Sequence, residues 1–108
     1  MKKQSIGVGL MGLGVVAGAV ARVLLDKAKI LAEQVDCPIV LRKVKVMEQD
    51  LTRPQAIEMG PQLFTTDADE FFADSGIDIV VEAMGGENPA LEYITRALSG
   101  GKHVVTSN

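Results

Sequence analysis

The most constraining feature of this chain is a glycine-rich turn set between an apolar run and a helix-patterned stretch. Gly12-Leu-Gly14-Val-Val-Ala17 follows Ile6–Met11 and leads into a helical stripe at Val16, Val20, Val23/Leu24, Lys27/Ala28, Leu31 and Val35, spaced by threes and fours. A second register, Gly7-Val-Gly9-Leu-Met-Gly12, matches the G-x-G-x-x-G pattern more literally. It is preceded only by a short polar segment, whereas the pattern works where a strand enters and a helix leaves. The register starting at Gly12 meets that condition. There Gly12 permits a tight turn, Gly14 lets backbone approach a pyrophosphate, and Ala17 is small enough for helix-on-strand packing. The amides of Val15 and Val16 would face the phosphate at the positive end of the helix dipole. Gly18 is expected to add close packing one residue on.

The same segment resembles a secretory leader, since Ser5–Ala21 is uncharged, follows Lys2-Lys3 and ends in Ala19-Val20-Ala21. Its five glycines and the helical pattern running on past Ala21 argue against both a leader and a membrane span. One free cysteine, Cys37, excludes a disulfide framework or a cysteine metal site, and a reducing, cytoplasmic setting is expected. A net charge of -3 excludes a general nucleic-acid binder, and no membrane partner is expected. The charge is unevenly spread. Residues 1–53 carry nine Lys and Arg against five acids, while residues 54–95 carry nine acids and no Lys or Arg. The basic half holds the proposed phosphate and ribose contacts, which suits an anionic cofactor.

Strand and helix signals alternate along all 108 residues. Strands are expected at Ile6–Met11, Ile39–Met47, Leu63–Thr65, Ile77–Met84 and Lys102–Thr106. One long helix is expected from Val15 to Val35. A short helix should open at a capping box in Thr52–Gln55 and end near Gly60. Another, capped by Thr66 or Asp67, should run through Phe72 until Gly76 stops it. The last should start at Asn88-Pro89 and end at Gly100-Gly101. Such alternation predicts an α/β fold: a doubly wound parallel sheet of about five strands, Rossmann-type, in three α/β/α layers and one domain over residues 1–108.

The end of the second strand should select the ribose: an acid suits the 2′-hydroxyl of NAD, basic side chains the 2′-phosphate of NADP. Glu48 and Asp50 stand there with Lys45 and Arg53 nearby, so the preference stays open. Glu48 and Arg53 are the candidates. Glu82, a charge inside an apolar strand, should reach a polar partner. His103, Cys37 and the Asp67–Glu70 acids are read as structural, and neither a metal site nor a catalytic constellation is expected in this chain.

Beyond the first turn, the chain resembles the N-terminal nucleotide-binding domain of homoserine dehydrogenases. The carriers are Val8–Val16, Ile77-Asp-Ile-Val-Val-Glu-Ala-Met-Gly-Gly86 with Asn88-Pro89, and Gly101-Lys-His-Val-Val-Thr-Ser-Asn108. That family interconverts aspartate 4-semialdehyde and homoserine with NADPH or NADH, in threonine and methionine synthesis. The resemblance implies that Leu13, Val15 and Val16 line the pyrophosphate side and that Met84, Gly85 and Gly86 lie beside the cofactor. Thr106 and Ser107 would approach the nicotinamide. Two departures stand out. Ala17 replaces the family's common glycine, and the chain stops one residue short of the lysine that follows the family's Thr-Ser-Asn. The catalytic domain is therefore expected to be absent, the piece to bind cofactor without turnover, and the parent to be a homo-oligomer. The alternatives are a stand-alone NAD(P)-sensing module and the first half of another Rossmann oxidoreductase, such as an aspartate semialdehyde or sugar-type dehydrogenase.

Overall fold

The computed structural model describes residues 4–84 and 90–107. Five strands form one all-parallel sheet in the order β3-β2-β1-β4-β5. They are β1 (Ile6–Met11), β2 (Ile39–Lys45), β3 (Phe64–Thr65), β4 (Ile79–Glu82) and β5 (His103–Thr106). The helices are α1 (Val15–Asp26), α2 (Ala28–Val35), α3 (Pro54–Met59), α4 (Ala68–Ala73) and α5 (Ala90–Ser99). Strand order reverses beside β1: the chain winds outward through β2 and β3, then crosses back to start again at β4. That reversal opens a crevice outside the carboxyl ends of β1 and β4.

Two apolar clusters flank the sheet. One gathers Leu10, Leu41 and Val44 against Ala17 and Ala21 of α1 and Ala56 of α3. The other gathers Met11, Ile77 and Val80 against Phe71 of α4 and Ala97 of α5. Alternate residues of β1 thus serve opposite layers, as the period of a strand requires. Leu41 and Val44 are three apart yet share one layer. A register shift makes this possible: Val8 pairs with Leu41 but Gly9 with Lys43, so Arg42 is an extra residue in β2. Its guanidinium reaches Asp74 with two hydrogen bonds, Nη2 to Oδ1 at 2.9 Å and Nε to Oδ2 at 3.3 Å. Asp74 also accepts the Gly76 amide at 2.8 Å. Bonding to Arg42 holds the Asp74 carboxyl below its usual range, against a smaller opposing effect of burial.

Several expected boundaries move. The long first helix is broken at Lys27, whose φ of -110° and ψ of 22° are non-helical. The stripe that α1 buries is Ala17, Val20, Ala21 and Leu24, with Val16 and Val23 exposed. Alanines face the sheet because they let the helix axis come close; larger side chains there would overfill the layer. β2 stops at Lys45 because Met47 turns its amide to the Asp50 carboxylate, 3.1 Å away, starting a 3₁₀ turn over Glu48–Thr52. Thr52 donates back to Gln49 O and does not cap α3, which instead begins after Arg53 with Pro54 at its first position. Asp67 does cap α4, accepting the amides of Asp69 and Glu70.

The first two glycines of the other register, Gly7 and Gly9, belong to β1 itself. A Cβ on Gly7 would fall 1.8 Å from Gly76 O, and one on Gly9 would fall 2.6 Å from Phe71 Cζ. Both are needed because the α4–β4 connection lies directly on the strand. Gly18 behaves otherwise than expected: a Cβ there meets nothing within 4 Å, so it makes no close approach.

Candidate cofactor site

The turn between β1 and α1 carries two glycines for different reasons. Gly12 has φ +109°, a conformation L-residues rarely adopt, and a Cβ there would sit 2.9 Å from Ala83 O. Its amide donates to Lys45 O at 2.9 Å, while the Ala83 amide donates to Met11 O at 3.0 Å. Gly12 therefore lies where the ends of β1, β2 and β4 converge. Gly14 has an ordinary φ of -77° at the N-cap of α1. The space its Cβ would fill is open, with nothing within 4 Å. Among the described residues no side chain caps α1 and no acid stands in its first turn. The helix thus opens with amide groups that have no helical partner, at the positive end of its dipole.

Above this turn lies a cleft of about 610 Å³. Its floor is Gly12, Leu13 and Gly14 from the turn. One wall is Lys45, Val46, Met47, Gln49, Asp50 and Arg53, following β2. The other is Ala83 and Met84, following β4, with Tyr93 of α5. Lys45 Nζ lies 5.7 Å from the centre of the Tyr93 ring, a cation–π distance that ties the two walls together. Asp50 is committed within its wall, accepting Arg53 Nε at 2.7 Å and the Met47 amide.

The expected site residues are distributed unevenly over this geometry. Gly12, Gly14, Arg53 and Met84 line the cleft. Leu13 lines it too, but its side chain is buried in the α1 layer, so it offers backbone only. Val15 and Val16 lie just beyond the lining; Val15 is 92% exposed. Glu48 is exposed and outside the lining, because the 3₁₀ turn at 48–52 carries Asp50, two residues on, into the wall in its place. Thr106 and Ser107 stand at the carboxyl end of β5, outside the cleft, where the Ser107 amide donates to Glu82 O at 3.0 Å. Gly85 and Gly86 lie outside the described residues. Sequence reasoning missed Tyr93. The available signal was an aromatic early in the last helix, the element that starts beyond the β4 end.

Glu82 has no exposed surface. The polar partner expected for it is present twice over: Oε2 accepts the Met84 amide at 2.8 Å, and Oε1 accepts the Thr106 hydroxyl at 2.6 Å. Among the described residues, no group of His, Cys, Asp and Glu is arranged to hold a metal, and no helix is long and apolar enough to cross a membrane.

A parallel 3-2-1-4-5 sheet with a glycine turn at its switch point and a cleft over the carboxyl ends defines a Rossmann-type nucleotide-binding domain. The chain belongs to a particular family of them: the family model described as "Homoserine dehydrogenase, NAD binding domain" matches residues 12–108. The homoserine dehydrogenase of Bacillus subtilis is 35% identical over 105 residues, covering 97% of this chain and 24% of the relative. That of Mycobacterium bovis is 40% identical over 106 residues, 98% of this chain and 23% of the relative. The crystal structure of Staphylococcus aureus homoserine dehydrogenase at pH 6.5 superposes with a TM-score of 0.84 at 30% identity, over 97% of this chain and 26% of that one. The chain thus spans about a quarter of the length of the relatives it matches.

Proposed function

We propose that this chain is the domain that binds NADP or NAD in a homoserine dehydrogenase, with residues 1–108 forming that domain and the catalytic domain lying outside them. The parent enzyme would interconvert aspartate 4-semialdehyde and homoserine, a step toward threonine and methionine, in the cytoplasm. The observation that carries the reading is the uncapped first turn of α1 opening beneath Gly14 into the cleft at the switch point. The open Cβ position of Gly14 is a cradle of the shape a pyrophosphate needs. The residues present therefore fit a dinucleotide.

In this reading Gly12 and Gly14 let the backbone approach the pyrophosphate, and the amides of Val15 and Val16 take its charge. Arg53, with Lys45 behind it, faces the ribose bound at the end of β2. Asp50 supplies the carboxylate of that wall, the role expected of Glu48. Met84 closes the side toward β4, and Thr106 and Ser107 border the second nucleoside. Once bound, the nicotinamide supplies the hydride; this domain's own groups bind and orient it. Titrating the chain with NADPH and NADH tests the proposal. Saturable binding of at least one is expected, and no binding of either overturns it.

A further inference from the structure

The methionines of this chain stand in two different settings. Met11, Met59 and Met84 each pack into one of the two apolar layers, Met11 with no exposed surface and the other two half-buried. Met47 packs into neither. It is 61% exposed and stands in the cleft wall that follows β2, at the entrance to the 3₁₀ turn. Its amide donates to the Asp50 carboxylate at 3.1 Å, and that carboxylate also accepts Arg53 Nε at 2.7 Å. Met47 is thereby fixed in the same wall as the cations Lys45 and Arg53.

What distinguishes Met47 chemically is that a small oxidant can reach it. The sulfur lone pair of a thioether attacks one oxygen of a hydroperoxide, and an S–O bond forms as the O–O bond breaks. Sulfur loses two electrons and the peroxide gains them. The proton on the transferred oxygen passes to the departing one, which leaves as water or an alcohol. The product is a sulfoxide, polar where the thioether was apolar. Because the oxidant must touch sulfur, Met47 should react ahead of Met11, Met59 and Met84. The new oxygen would then share a wall with Lys45 and Arg53, which donate hydrogen bonds and accept none. It would draw those cations away from an anionic ligand and set an unpaired dipole against the ligand's apolar surface.

We propose that Met47 is an oxidation site at which a hydroperoxide reversibly weakens dinucleotide binding. The proposal rests on reading the cleft as a dinucleotide site, and the test separates the two. Wild-type and M47L chains are titrated with NADPH and NADH before and after a limited dose of hydrogen peroxide, quenched with catalase. Dithiothreitol is then added, which returns reversible oxidation products of Cys37 to the thiol and leaves a sulfoxide intact. Each chain is compared with its own untreated sample, so any effect of the substitution itself drops out. Peptide mass mapping should find the added oxygen on Met47 before Met11, Met59 or Met84, and saturating ADP-ribose should slow that reaction. Oxidation should raise the wild-type Kd about five- to ten-fold, with the circular dichroism unchanged. Enzymes that reduce the two sulfoxide epimers should restore the starting affinity. M47L should keep its untreated Kd after peroxide. The inference is overturned if Met59 or Met84 is oxidised first, or if ADP-ribose binds without slowing the reaction at Met47. It is overturned equally if peroxide weakens M47L as much as wild type, or if full oxidation of Met47 leaves the affinity unchanged. If the untreated wild type binds neither cofactor, the dinucleotide reading fails and this inference with it.

Discussion

Replacing each glycine of the β1–α1 turn by alanine should separate folding from binding, because the two positions are glycine for unrelated reasons. At Gly12 an added Cβ would lie 2.9 Å from Ala83 O and 3.3 Å from Met84 Cα, on a backbone with φ +109°. Holding a non-glycine residue in such a region costs about 1–3 kcal/mol, and overpacking against backbone costs about 1–3 kcal/mol more. G12A should therefore lose about 2–6 kcal/mol of the roughly 5–15 kcal/mol by which a domain is stable. At Gly14 the φ of -77° suits alanine and the Cβ meets nothing within 4 Å. The folding cost there is limited to a poorer N-cap, about 0.5–1 kcal/mol. The same methyl would occupy the space given to the pyrophosphate. An intrusion of about 1–3 kcal/mol corresponds to about a 5- to 150-fold rise in Kd. Urea melts and NADPH or NADH titrations of both variants measure the two effects. Unchanged affinity in G14A would show that no pyrophosphate lies over this turn. A loss of stability in G14A equal to that of G12A would refute the steric argument.

Other outcomes follow from the same geometry. G18A, in the interior of α1 with open space around its Cβ, should gain about 0.5–1 kcal/mol and raise the melting temperature by a few degrees. Asp74 titrates below its unfolded value of about 3.9, so the stability it contributes is present above that pH and lost as pH falls through its lowered folded pKa. Urea melts between pH 7 and pH 3 should therefore show a decline that R42M makes shallower, and an identical slope in R42M would remove Arg42 as the cause. R53A should weaken NADPH binding about ten-fold or more while changing NADH by less than about three-fold, if Arg53 meets a 2′-phosphate; equal losses would place it on a group the two cofactors share. F71A, which empties a side chain with no exposed surface, should cost about 3–5 kcal/mol in equilibrium unfolding.

The linear order of residues was enough to determine the alternation of strand and helix, the parallel sheet, the glycine turn that matters and the presence of a polar partner for Glu82. Those follow from local rules: residue period, φ preference, and the cost of burying charge. What tertiary structure decided concerns residues that meet across the sheet. Ala17 and Ala21 are the fully buried positions of α1, while Val16 and Val23 stay exposed, because the allowed helix-to-sheet distance sets the side-chain size. Arg42 is an extra residue in β2 because two layers must be filled at once. Asp50 and not Glu48 enters the cleft because a 3₁₀ turn rotates the chain after Lys45, and Tyr93 joins it from a helix far along the chain. That Glu82 should bond Thr106, 24 positions away, depends on β4 and β5 lying in register. Local patterns carry backbone preferences, but which side chains share a cleft is a property of crossovers and registers, fixed only when the sheet is assembled.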